Sequence, residues 1–290
     1  MNARHKTEDT LPVYDIRPNW VLIASYWLGL LGCLGLSIWA MIHQPQQLQI
    51  WMTVFFTLSG LFVLMRTQLA RFNHHASINF MIALFTLLTA WRISVIGEYN
   101  IIIWLAAMTS MIKVAMLIDI AWVDLTLHQT SEHLSVKRLE WHILLMRMML
   151  GFVFIPHFTE KLFTGPGTRD IDVLAFSQLG VPLPWLVVII AGLCEFAAAL
   201  ALSTGLLTRL TAVCTCLYLF IATYLGQHFS KGFIWVSAGG GWEYPVLWIA
   251  MIACFALFGP GYFSVDQFLN HQYHLPKWLK MIMGLHDKNR

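Results

Sequence analysis

The chain has 290 residues, of which 58% are hydrophobic and 11% charged, with a formal net charge of +3 and a mean hydropathy of +0.65. That balance excludes a soluble globular domain and makes the lipid bilayer the first expected partner, with no nucleic acid. A hydrocarbon core about 30 Å thick takes roughly 20 apolar residues per helix. Runs of that kind begin near Trp20, Leu48, Ile78, Ile101, Trp141, Trp185, Leu207 and Tyr244, so the expected fold is all-α and polytopic with eight spans.

The first run follows a polar leader, "MNARHKTEDTLPVYDIRPN", and continues to about Ile42 without a small-x-small cleavage pattern, which reads as a retained first helix. Cys33, Cys194, Cys214, Cys216 and Cys254 all fall inside expected spans, as small apolar packing residues do. Cys214-x-Cys216 is too short for a zinc-knuckle spacing and its members point to diverging faces, so no metal site is expected.

Lysine and arginine set the expected orientation. With eight spans the termini share a side, and that side collects Arg4, Lys6, Arg17, Arg66, Arg71, Lys137, Arg138, Arg209, Lys277, Lys280, Lys288 and Arg290. The opposite side has Lys161, Arg169 and Lys231, while Arg92, Lys113 and Arg147 stay within spans. Both termini are therefore expected in the cytoplasm of a bacterial-type inner (plasma) membrane.

After the fourth run comes a polar connector, "VDLTLHQTSEHLSVKRLE", Val123 to Glu140. It divides the chain into two expected four-helix bundles, residues 1–140 and 141–290. "GEYNIIIWLAAM" before the connector and "GWEYPVLWIAM" after it share Glu-Tyr ahead of an apolar run, either by chance or as the trace of a parallel duplication.

The fifth run, "EWHILLMRMMLGFVFIPHFTEKLFTG", carries Arg147, Gly151, Phe154, Phe158 and Lys161 on one expected helix face. Arg147 lies about 9 Å from the cytoplasmic end at 1.5 Å per residue, and Glu195 of the sixth run about 15 Å. A depth gap of roughly 6 Å is within an arginine's reach, so Glu195 is the expected anion for Arg147. The carboxylate then serves either as a structural ion pair or as a ligand-facing, proton-carrying group.

At the outer ends His157, Glu160, Lys161, His228, Lys231, Glu243 and Tyr244 converge in depth. The loop "SKGFIWVSAGGGWEYPVLW", Ser230 to Trp248, adds Gly240 and Trp242. Its glycines permit a tight fold over a ligand or against helix ends, and its aromatics fit an interfacial belt equally well. His157, Glu160, Lys161, His228 and Glu243 are the candidate catalytic residues. Arg147, Glu195, Gly240, Trp242 and Tyr244 are the candidate ligand contacts.

In this order, "RMMLGFVFIPHFTEKLF" (147–163), "DVLAFSQLGVPLP" (172–184), "AGLCEFAAALALSTGLLTRLTA" (191–212), "GQHFSKGFIW" (226–235), "GGGWEYPVLW" (239–248) and "GPGYFSVDQFL" (259–269) resemble a DoxX family domain over about 143–270. The resemblance implies a four-helix membrane bundle. It also implies an association with quinone-linked sulfur oxidation, as in DoxD-type thiosulfate:quinone oxidoreductase subunits, or with oxidative-stress complexes. The family's recurring polar positions fall on Arg147, Lys161, Glu195, Arg209, His228 and Glu243. A rim of this kind would suit an anionic or quinone-headgroup ligand. The first four helices resemble no family recognised in the sequence.

No Cys-x-x-Cys-His haem site, iron–sulfur spacing or dinucleotide fingerprint occurs, so quinone is the one cofactor expected, with either direct substrate-to-quinone chemistry or a partner protein carrying the electron carrier. Three classes stay open: a quinone-linked oxidoreductase subunit, a non-catalytic anchor for a redox partner, and a small-solute transporter using Arg92, Lys113, Asp119 and Glu195 as a midplane path.

Overall fold

The computed structural model describes residues 20–43, 74–127, 131–163, 168–236 and 238–285. Every regular element among them is helical: α1 (Trp20–His43), α2 (His74–Ile96), α3 (Asn100–Leu127), α4 (Ser131–Phe152), α5 (Phe154–Leu162), α6 (Thr168–Gln178), α7 (Pro184–Thr204), α8 (Thr208–Leu225), a 3-10 turn (His228–Lys231), α9 (Glu243–Phe258), α10 (Val265–Gln272) and α11 (Lys277–Met283). Among the described residues five stretches are long and apolar enough to cross a membrane: Trp20–Ala40, Asn100–Thr126, Ser135–Leu162, Pro184–Thr204 and Thr208–Leu225. The spans expected from Ile78 and Tyr244 are shorter apolar helices, Phe80–Ile96 and Glu243–Phe258. The span expected from Leu48 lies outside the described residues.

Two local expectations are corrected. The connector Val123–Glu140 is mostly helical, because α3 runs on to Leu127 and α4 starts at Ser131. Its buried charges explain this: Lys137 Nζ donates to both oxygens of Asp124 (3.1 and 3.3 Å), and Trp141 Nε1 donates to Asp124 Oδ2 (2.9 Å). Polar residues that read as a loop are thus satisfied between two helices. The fifth span, expected as one helix, breaks at Val153 between α4 and α5. Pro156 cannot donate to the carbonyl of Phe152 and its ring crowds that carbonyl, which interrupts the ladder one turn upstream.

The second half is organised around α7, against which α4, α5, α6 and α8 pack. Close approach depends on two glycines. A Cβ on Gly151 of α4 would sit 2.7 Å from the carbonyl oxygen of Ala199, and one on Gly192 of α7 would sit 2.9 Å from the Leu162 side chain. These contacts set an antiparallel register, with Gly151 beside Ala199 and Ser203, and Lys161 and Leu162 beside Gly192. The first half joins through α2, which packs on α5 and α7. Phe85 of α2 lies 6.3 Å from Phe158 and 6.2 Å from Phe196, ring centroid to ring centroid.

At the end of the bundle that carries Arg209, Gly205 terminates α7 with φ +68°, where a Cβ would meet the Arg147 guanidinium at 2.7 Å. Arg147 is fully buried and donates to the carbonyls of Pro260 and Phe263 and toward Met81 Sδ (3.7 Å). Asp266 of α10 accepts from the backbone N–H groups of Leu207 (2.7 Å) and Thr208 (2.8 Å), and from the Thr208 hydroxyl (2.7 Å). A carboxylate at the first turn of α8 satisfies donors that the helix itself cannot. Burial pushes the Asp266 carboxyl above the usual range, while these bonds and the nearby Arg147 charge pull it back.

Asp266→Ala strands two backbone donors and the hydroxyl, and should cost on the order of 3 kcal/mol. Asp266→Asn, which keeps one acceptor oxygen, should cost less. Thermal unfolding in detergent measures both, and melting temperatures equal to wild type for Asp266→Ala would exclude a fastening role for this carboxylate.

Candidate functional site

The register that places Gly192 beside Lys161 also decides which charges meet. Lys161 Nζ donates to Glu195 Oε1 at 3.0 Å, and the Tyr218 hydroxyl of α8 donates to the same oxygen at 2.6 Å. Lys161 also reaches the carbonyl of His157 at 3.4 Å. Glu195 is 5% exposed, and its Oε2 has no donor among the described residues. The expected pairing of Arg147 with Glu195 is therefore wrong. Arg147 lies opposite Gly205, ten residues or about 15 Å along α7 from Glu195. Depth measured from Trp141 misled because the helix starts ten residues earlier, at Ser131, so that Arg147 is level with the end of α7 at Gly205.

Above this triad is a cavity of about 720 Å³, in the range of small-molecule sites. Glu195, Lys161 and Tyr218 form its polar patch, and the walls include Phe154, Phe176, Val187, Leu219 and Trp248. His157 lines it with its ring edge-on to Trp248, centroids 5.7 Å apart. Trp235, Tyr244 and His228 also line it, and Asp172 of α6 stands in its wall.

Of the ten residues singled out from the sequence, His157, Lys161, Glu195, His228 and Tyr244 line this cavity. The other five do not. Glu160, one residue before Lys161, is bonded to Arg92 of α2. Glu243 accepts from the backbone N–H of Trp235 at 3.0 Å, and Gly240 accepts at 2.8 Å from His228 Nδ1, which fixes that ring's proton on Nδ1. Trp242 packs edge-on against Phe233, centroids 4.7 Å apart. These contacts, with Trp235 stacked on His228 (5.5 Å) and edge-on to Tyr244 (5.3 Å), make the glycine-rich loop a folded wall.

Tyr218 and Asp172 were missed. The signal for Tyr218 is its position, since a tyrosine eleven residues into the 18-residue α8 is far from the interfacial belt where tyrosines gather. Asp172 has no comparable signal, because nothing in "DIDVLAF" shows that α6 folds back over the bundle.

Residues 142–228 match the DoxX family model, less than half of the chain. The match takes in His157, Lys161, Glu195, Tyr218 and His228, and ends before Glu243 and Tyr244. No curated protein and no solved structure matches the chain.

Glu195→Gln leaves Lys161 without its anion in a half-buried site and should destabilise the protein by about 3 kcal/mol. Adding Lys161→Met should recover part of the loss, whereas adding Arg147→Gln should recover none. A double-mutant cycle on melting temperature reads this directly, and rescue by Arg147→Gln instead would restore the discarded pairing.

Proposed function

We propose that this chain is a membrane subunit of a quinone-linked redox system, and that the cavity between α5, α6, α7, α8 and α9 receives the quinone headgroup. The observation that carries the reading is a buried patch of proton-bearing groups, Lys161, Glu195 and Tyr218, in a largely apolar and aromatic cavity open to ligand-sized molecules. The fit is good on volume and on ring surfaces such as Trp248 and Phe154. A bound quinone would supply paired uptake of electrons and protons.

The chain's own residues then have distinct tasks. Lys161 and Tyr218 hold the Glu195 carboxylate in place, Glu195 and His157 are the groups able to exchange a proton at the headgroup, and the aromatic walls exclude water. The electron donor, a sulfur compound or a reactive oxygen species, is met by a partner protein or at the membrane surface. Residues 1–140 and 141–290 act as two four-helix units, with both termini on the cytoplasmic side of an inner membrane.

One observation favours a second reading, in which the protein is a non-catalytic anchor. His228 and Glu243, expected at a reactive rim, are both committed to holding the loop, and the loop exposes Phe233, Ile234 and Val236. Such a surface suits a partner protein.

Protein purified from native membranes should retain quinone detectable by mass spectrometry. Ala191→Trp, which fills the cavity from α7, should lower retention at least about tenfold, the loss that accompanies roughly 1.4 kcal/mol, with the melting temperature near wild type. Equal retention by wild type and Ala191→Trp would remove quinone from this cavity. Retention without any turnover in the presence of a reductant such as thiosulfate would place the anchor reading first.

A further inference from the structure

The cavity's charge is not what the sequence alone suggests. Lys161 is its one lysine, and that charge is already matched by Glu195 at 3.0 Å. Asp172 adds a second carboxylate, and the remaining walls are apolar, aromatic or histidine apart from Thr223, whose hydroxyl donates to the Leu219 carbonyl at 2.6 Å. An anion entering the cavity would meet a net negative field with no uncommitted cation, in a low-dielectric surrounding where such repulsion is strongest. A cation at the Glu195 carboxylate would in turn stand against the Lys161 ammonium.

The hydrogen-bond capacity points the same way. Glu195 Oε1 takes both donors, from Lys161 and Tyr218, while Oε2 takes none. A buried acceptor without a donor is costly relative to a satisfied one. Oε2 is closed to solvent, so a ligand's hydroxyl reaches the carboxylate as the side chain shifts within the wall that Glu195 forms. A ligand bearing only acceptors, such as a ketone, would place lone pair against lone pair there, whereas a hydroxyl would complete the shell.

We propose that this cavity selects an uncharged amphiphile presenting a hydroxyl donor to Glu195, with its apolar body along Phe154, Phe176 and Trp248, and that it rejects anions. The inference rests on the cavity being the ligand site of the proposed function, and within that reading it means preference for the reduced, hydroxyl-bearing quinol over the quinone.

The experiment compares four probes with the same decyl chain on the full-length protein in lipid nanodiscs: 4-decylphenol, a decyl-substituted benzoquinone, decyl sulfate and decyltrimethylammonium. Binding is read by native mass spectrometry and by quenching of tryptophan fluorescence. The phenol should bind at least about tenfold more tightly than the quinone, and decyl sulfate and decyltrimethylammonium should bind no better to wild type than to Ala191→Trp. Glu195→Gln, whose amide can donate, should narrow or invert the preference of phenol over quinone. The Lys161→Met/Glu195→Gln pair gives the same readout without an unpaired cation should the single variant fold poorly.

Binding of decyl sulfate or decyltrimethylammonium as tight as the phenol would overturn the proposal. So would a probe ranking that both Glu195 variants leave unchanged. Glu195-dependent phenol binding in a protein that retains no quinone upholds the hydroxyl-donor site and ends the quinone-linked reading. Retained quinone with equal affinity for phenol and quinone does the reverse.

Discussion

Backbone contact between α4–α5 and α7 is the constraint from which the rest of this bundle follows. Gly151 and Gly192 remove the two side chains that would hold these helices apart. Between apolar helices in lipid there is no hydrophobic force to draw them together, so dispersion at short range and the hydrogen bonds it permits must suffice. Once Gly151 sits on Ala199 and Ser203, helix rise alone carries Lys161 to Glu195 and Arg147 to Gly205. Two cations on one strip of helix thereby acquire different duties: one is locked among the carbonyls of the 260–263 segment, and the other stands at the wall of a cavity.

The same register separates stability from chemistry. Arg147 and Asp266 are buried among backbone groups at the Arg209 end of the bundle, where each bond fastens a chain reversal. That cluster and the one of Lys161, Tyr218 and Glu195 each leave one buried polar atom without a partner among the described residues, Arg147 Nε in the first and Glu195 Oε2 in the second. Of these two residues only Glu195 lines the cavity, where a ligand can supply what the protein does not.

Hydropathy found the long apolar helices among the described residues but not the short α6, α10 and α11, because the requirement to satisfy every backbone group in lipid leaves few alternatives only for apolar runs. Trp20, Ile101, Trp185 and Leu207 each stand within one residue of the observed helix starts. The start at Trp141 missed by ten residues, because Lys137 and Asp124 bury each other and a polar helix carries no apolar signature. Lys161, Glu195 and His157 were legible as charged or titratable groups inside or beside apolar runs. Their pairing was not, since partner choice depends on the register between α4–α5 and α7, which a list of depths taken from Trp141 misplaces. Glu160 and Glu243 were equally conspicuous in the sequence, yet their carboxylates are bonded to Arg92 and to the Trp235 N–H. Composition identifies groups that need partners, and only packing says whether the partner is internal.

Glu160 and Lys161 are adjacent on α5 and bonded in opposite directions, one to Arg92 of α2 and the other to Glu195 of α7. Adjacent residues on a helix diverge by about 100°, so a single turn can fasten to two neighbours at once. As a building block, then, the segment 142–228 is not self-contained. Transplanted without α2, it would carry a half-buried carboxylate with its arginine missing, one residue from the lysine at the cavity wall. The first helices thus serve the second half as a splint does, bearing on the cavity's lysine without touching what the cavity holds.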